Sequence, residues 1–132
     1  MKIMIADDEA NNRILLEHIL SPYGKCDSVV NGLEAVESFE MALTDGKPYD
    51  LVCLDIMMPE MDGHRALIKI RKLESEMRTD GRETVIFMVS ALDTEEHMLK
   101  AFFIGGCTDY LVKPVTRNKV AEKLRQHHLL TT

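Results

Sequence analysis

The sequence predicts an α/β fold in which a five-stranded parallel sheet is covered by helices on both faces. Three observations predict it. Short apolar runs alternate with longer amphipathic stretches from one end of the chain to the other. Each apolar run is flanked by turn-forming residues, and none is long enough for a helix of its own. Five strands and five helices use up all 132 residues, a length that suits one domain of roughly 100–200 residues. Strict β–α alternation implies parallel strands joined by helical crossovers, so residues 1–132 are expected to form a single domain.

Residues 2–6 are an apolar run ending at Asp7-Asp8, as expected of a buried strand that delivers acids to its C-terminal end. Residues 11–21 place Leu15, Leu16, Ile19 and Leu20 on one stripe, and Pro22 and Gly24 stop that helix. Residues 25–30 read as the second strand. Asn31 can cap the next helix, where Ala35, Val36, Phe39 and Leu43 recur at helical spacing. After the loop Asp45-Gly46-Lys47-Pro48, residues 51–55 form a third strand that again ends in an acid, Asp55. Residues 57–63 read as a loop because Pro59 biases Met58 away from helical geometry. Ala66, Leu67, Ile70, Leu73 and Met77 mark a third helix. Residues 84–89 are a fourth strand leading to Ser90. Asp93 and Glu96 resemble a capping box for a fourth helix, which Gly105-Gly106 ends. Residues 109–112 are the fifth strand, cut off at Lys113-Pro114. Thr116 can cap a last helix carrying Val120, Ala121 and Leu124.

Composition narrows the function classes. The net charge is −6, which argues against direct binding of nucleic acid, since phosphate recognition normally shows as a basic surplus. No apolar run approaches the roughly 18 residues that span a bilayer. The N-terminus turns acidic at Asp7 and Asp8, too early for a signal peptide, and a cytoplasmic protein is expected. Cys26, Cys53 and Cys107 are odd in number and form no CxxC pair, so they read as small hydrophobes in a reducing compartment. The five histidines lack paired metal-ligand spacing.

Open parallel sheets bind ligands outside the carboxyl ends of their strands. The residues at those ends are Asp7 and Asp8, Asp55, Ser90 and Lys113. Three carboxylates on one rim repel each other unless a cation lies among them, and oxygen donors without His or Cys favour Mg²⁺ or Mn²⁺. A lysine ammonium and a serine hydroxyl beside them suit a phosphoryl group, and one carboxylate could itself be the nucleophile. Taken singly, each residue has a plainer reading. Asp7 or Asp8 can be a helix N-cap, Asp55 a loop residue, Ser90 the opening of a turn, and Lys113 a solvated side chain. Their joint occurrence at strand ends of one sheet favours the chemical reading.

Ile5-Ala6-Asp7-Asp8-Glu9, the segment from Leu54 to Gly63 (Leu-Asp-Ile-Met-Met-Pro-Glu-Met-Asp-Gly), Val89-Ser90-Ala91 and Asp109-Tyr110-Leu111-Val112-Lys113-Pro114 together resemble the receiver domain of bacterial two-component response regulators, of the single-domain, chemotaxis-regulator-like kind. The resemblance spans about residues 1–128. It implies a flavodoxin-like sheet of strand order 2-1-3-4-5 and a phosphorylation-dependent signalling switch. It further implies that Asp55 is the phosphoacceptor for a sensor histidine kinase or phosphotransfer protein. In that likeness Asp8 ligates Mg²⁺ directly, Asp7 helps through water, and Met57 contributes its backbone carbonyl. Ser90 and Lys113 bind the phosphoryl group, and the Lys113–Pro114 bond is cis. Tyr110 is the aromatic that swings inward when Ser90 moves. The output is protein binding on the face made by helix four, strand five and helix five. Such a protein is no conventional enzyme, although it catalyses its own phosphorylation and slow self-dephosphorylation.

Two departures from common family patterns stand out. The positions two after Asp55 and two after Ser90 tune dephosphorylation in the family, and here they are Met57 and Leu92. Neither can orient an attacking water, so slow decay of the phosphorylated form is expected. Phe102-Phe103-Ile104 stands where a charged residue is common; core packing does not absorb three consecutive apolar residues on a helix, so one of them is expected to face a partner or a second copy in a phosphorylation-dependent dimer. The rival reading is a Mg²⁺-dependent phosphatase or phosphotransferase with an aspartate nucleophile, which would want a second acid where Met57 stands. Met1 and the tail at 127–132 favour a stand-alone regulator.

Overall fold

All five apolar runs pair side by side as parallel strands. The computed structural model describes residues 1–91 and 95–130, except the side chains of Glu95, His97, Phe102 and Phe103. In chain order the elements are β1 (Lys2–Ala6), α1 (Ala10–Leu20), β2 (Lys25–Val29), α2 (Gly32–Thr44), β3 (Leu51–Asp55), α3 (Gly63–Met77), β4 (Val85–Ser90), α4 (Glu95–Leu99), β5 (Asp109–Val112) and α5 (Arg117–Gln126). The strand order is β2-β1-β3-β4-β5, as the resemblance implied. The fourth helix departs from the expected regular form: beyond α4 it continues as a π-helical segment, Lys100–Gly105. Gly106 then turns into the left-handed region at φ 75° and donates its N–H to the Ala101 carbonyl, a conformation that costs a glycine little.

Side-chain alternation along the strands divides the core in two. Met4, Val52, Leu54, Ile86, Met88 and Tyr110 point to the face covered by α2, α3 and the fourth helix, where Phe39, Leu67 and Ile70 pack on them. Ile3, Ile5, Leu51, Cys53, Phe87, Val89 and Leu111 point to the other face, covered by α1 and α5 through Leu16, Ile19, Leu20, Val120 and Leu124. Both layers are needed because the central strands are buried on both sides, the usual state of a parallel sheet.

The predicted caps at Asn31 and Thr116 form, with their side chains accepting the amides of Glu34 and Lys119. Neither Asp7 nor Asp8 caps α1; Glu9 occupies that position without a side-chain capping bond. Leu15 and Met77, placed on buried stripes from spacing, are 45% and 39% exposed, because each lies at the margin of its stripe. Val30 falls just outside β2, and Thr84 just before β4. Leu92 and Asp93 lie outside the described residues, as do the side chains of Phe102 and Phe103. Of the apolar triplet, Ile104 is 68% exposed. The cysteines are free, with Cys53 and Cys107 buried. No described helix is long and apolar enough to cross a membrane.

Two polar clusters hold elements to the sheet. Asp109 accepts from Tyr110 N–H (2.8 Å) and Lys123 Nζ (3.0 Å) and lies 2.8 Å from His127 Nε2, tying α5 to β5. Burial pushes the Asp109 carboxyl up, but the His127, Tyr110 and Lys123 contacts outweigh it and hold the group below the ordinary range. At the opposite end of the sheet from the acidic rim, buried Glu74 accepts from Thr84 N–H (2.6 Å), Arg71 (2.8 Å) and Arg78 (3.5 Å). Arg71 also donates to the carbonyls of Thr84 and Gly106 and to Thr108 Oγ1. Removing one partner of a buried pair leaves charge uncompensated. Glu74→Ala is therefore expected to cost about 3 kcal/mol of unfolding free energy in urea titration; a loss below about 0.5 kcal/mol, typical of surface sites, would refute this account of the cluster.

Candidate metal and phosphoryl site

The C-terminal ends of β1, β3, β4 and β5 meet at one rim. Asp7 continues the course of β1, donating its N–H to the Val29 carbonyl at 3.2 Å, and its carboxylate is wholly buried. Asp7 Oδ1 accepts the Glu9 N–H at 2.9 Å. Asp55 ends β3 opposite Val89, and its Oδ1 accepts the Met57 N–H at 3.1 Å. Directly behind it runs Gly63, where an added Cβ would stand 2.3 Å from the Asp55 carbonyl oxygen. Only glycine lets α3 start this close to the acid-bearing backbone. Asp62 caps that helix by accepting the Arg65 N–H.

Lys113 follows β5 and sits at the rim immediately before a cis Lys113–Pro114 bond. Its N–H donates to the Ser90 carbonyl at 2.8 Å, so the lysine and the buried serine at the end of β4 are locked together. Lys113 Nζ lies 2.8 Å from Asp55 Oδ2 and 3.5 Å from Asp7 Oδ2. Oxygens of Asp7, Asp8 and Asp55 all lie within 4.8 Å of one another. Above them opens a cleft of about 650 Å³ that Asp8, Asp55, Met57, Ser90 and Lys113 line. The structure thus unites the rim residues that the sequence predicts. It leaves Tyr110 out of the cleft: the ring is buried against the sheet face shared with α3. The rim pattern of strand-end residues does not mark Glu9 and Asp62, which also line the cleft, nor Arg13. Asp62 was legible as an N-cap before Gly63; Arg13 donates to a backbone carbonyl, an acceptor that no sequence motif marks.

Electrostatics explain what this rim wants. At about 4.8 Å and an effective dielectric of 20, each like-charged pair repels by on the order of 3 kcal/mol. Burial raises the Asp55 carboxyl most, the Lys113 bond pulls it down, and the Asp7 charge pushes it up again, leaving it at about 6. Burial would lower the Lys113 ammonium, but its bonds to Asp55 and Asp7 outweigh that and hold it above the ordinary lysine range. Lys113 therefore stays charged. One ammonium does not neutralise three carboxylates, and among the described residues buried Asp7 Oδ2 has no hydrogen-bond partner beyond the 3.5 Å ion pair. An all-oxygen donor set with such an unsatisfied atom fits Mg²⁺.

Residues 3–125 match the family model of the response regulator receiver domain. The chain belongs to that family. This receiver is 34% identical over 125 residues to the chemotaxis protein CheY of Treponema pallidum, covering 93% of this chain and 79% of that protein. It is also 30% identical over 122 residues to the sensor histidine kinase GacS of Pseudomonas protegens, where the match covers 92% of this chain and only 12% of the kinase. Among solved structures, a chain of the CheX–CheY–BeF3–Mg²⁺ complex of Borrelia burgdorferi superposes with a TM-score of 0.83 at 28% identity, covering 97% of this chain and 89% of that one. The acidic cluster fits Mg²⁺, the ion present in the Borrelia complex.

Crowded carboxylates lower stability when no cation joins them. In metal-free buffer at pH 7, Asp55→Asn is expected to stabilise the receiver by about 1 kcal/mol in urea titration, less than the full effect of a carboxyl raised to about 6 because the rim is open to water. Adding Mg²⁺ should raise the wild type more than the variant and so shrink that gap. Equal stabilities without Mg²⁺ would contradict the repulsion described above.

Proposed function

We propose that residues 1–132 act as one cytoplasmic receiver domain that takes a phosphoryl group onto Asp55 and signals through altered protein binding. The observation that carries this reading is Lys113 Nζ bridging Asp55 and Asp7 at the mouth of the acidic cleft. A phosphohistidine on a sensor kinase or phosphotransfer protein is the donor. Its N–P bond breaks, a P–O bond forms to the Asp55 carboxylate, and the imidazole leaves. Mg²⁺, held by Asp8, Asp55 and the Met57 backbone carbonyl with Asp7 acting through water, would supply charge stabilisation for the transferring group.

The side chains of the receiver do the rest. Lys113 exchanges part of its contact with Asp55 for the incoming phosphoryl oxygens, supplying a fixed positive charge where negative charge accumulates. Ser90, on the cleft wall, donates its hydroxyl to a phosphoryl oxygen. The new group adds nearly two negative charges at one rim, and Ser90 and Tyr110 bias a two-state surface formed by the fourth helix, β5 and α5. Tyr110 is buried in this structure. Exposed Ile104 extends the same surface toward a partner protein or a second phosphorylated copy.

Met57 is 68% exposed beside Asp55 and offers no group that could orient a hydrolytic water, so phosphoryl loss is slow. The absence of an acid at this position also disfavours an aspartate-nucleophile phosphatase. Incubation with a small acyl-phosphate donor and Mg²⁺ should add one phosphoryl group per chain by intact mass, and Asp55→Asn should abolish it. Multiple turnover of phosphoesters would instead favour the phosphatase reading. Once the donor is removed, the label should persist for minutes; decay within a few seconds would refute slow self-dephosphorylation.

A further inference from the structure

Asp8 is exposed, and its side chain takes part in none of the described hydrogen bonds or ion pairs, yet the proposed metal site depends on where it points. Its aim is set by the peptide planes on either side of its Cα. The plane before it carries the Asp7 carbonyl, and that oxygen accepts Arg13 Nη1 at 2.8 Å. The plane after it carries the Glu9 N–H, which donates to Asp7 Oδ1 at 2.9 Å. Peptide units are rigid and planar, so holding both fixes the two backbone torsions of Asp8 and hence its Cα–Cβ direction. Arg13 is itself placed by the first turn of α1, its own N–H donating to the Glu9 carbonyl at 3.1 Å, and it is half-buried.

We infer that Arg13 is a positioning residue for the metal site: it pins the Asp7 carbonyl and so aims Asp8, without touching the ion. This rests on the Mg²⁺ assignment made above. The inference has a definite sign. A guanidinium near a cation site repels the cation, so if charge dominated, removing Arg13 would tighten Mg²⁺ binding. If aim dominates, removal weakens it. Groups that orient first ligands commonly change metal affinity by about 10–100-fold, and the carbonyl bond here is one link removed, which puts the expected effect at the lower end.

The test is calorimetric titration of the full chain with Mg²⁺ alone, with no phosphodonor. Arg13→Met keeps the apolar stem and removes donor and charge; it should weaken Mg²⁺ binding about tenfold. Arg13→Lys restores a donor and should recover part of that loss. The loss should nearly vanish in an Asp8→Asn background, because a residue that works by aiming Asp8 has nothing left to aim. Unchanged or tighter binding by Arg13→Met, or an equal loss in both backgrounds, overturns the inference. Thermal unfolding of each variant shows whether it folds, and Arg13→Lys carries the test should Arg13→Met not fold. An Asp8→Asn substitution that leaves Mg²⁺ affinity unchanged would bring down the assignment of Asp8 as ligand, an outcome separable from failure of Arg13 alone.

Discussion

Like charges crowded at one rim, two of them largely buried, are the constraint on which the rest of this receiver depends. Asp7 is fully buried and Asp55 nearly so, within 4.8 Å of each other and of Asp8. Water screens the two buried carboxylates only in part, so the protein must hold a cation there or accept a penalty in stability. Lys113 meets part of that demand and is tied through its own amide to Ser90. The same arrangement that makes the resting rim uncomfortable makes it receptive. A divalent ion relieves the repulsion, and a phosphoryl group arriving with that ion finds an ammonium and a hydroxyl already in reach.

The remainder of the fold keeps this rim in place. Apolar side chains alternate to two cores, and β1 and β3 lie between them at the centre of the sheet. Their ends therefore have little freedom to drift. Gly63 lets α3 begin against the backbone of Asp55, so the loop between them is short and close. At the far end, the Glu74 cluster joins α3 to the start of β4 and, through Arg71, to the segment leading into β5. Charges that carry chemistry and charges that brace the scaffold are thus kept at opposite ends of one sheet.

Much of this was legible in the chain itself. Strand ends, the caps at Asn31 and Thr116, and the convergence of Asp7, Asp8, Asp55, Ser90 and Lys113 follow from period, turn chemistry and the geometry of parallel sheets. Leu15 and Met77 were misplaced because hydrophobicity alone does not tell the centre of a stripe from its edge. Arg13 escaped because its partner is a carbonyl oxygen, which every residue has. Tyr110 was legible, by resemblance, as a moving aromatic; its full burial comes from packing on a core that sequence spacing does not measure.

The change from α to π winding after Leu99 bears on how surfaces of such proteins are compared. A π segment turns through a smaller angle per residue than an α-helix, since each N–H reaches one carbonyl further back. Past that point, helical-wheel arithmetic assigns side chains to the wrong azimuth. Two receivers with identical residues at aligned positions would then display different faces to their targets if only one carried the wider winding. Specificity on this face can diverge by a change of winding, with no exchange of the residues that make the contacts.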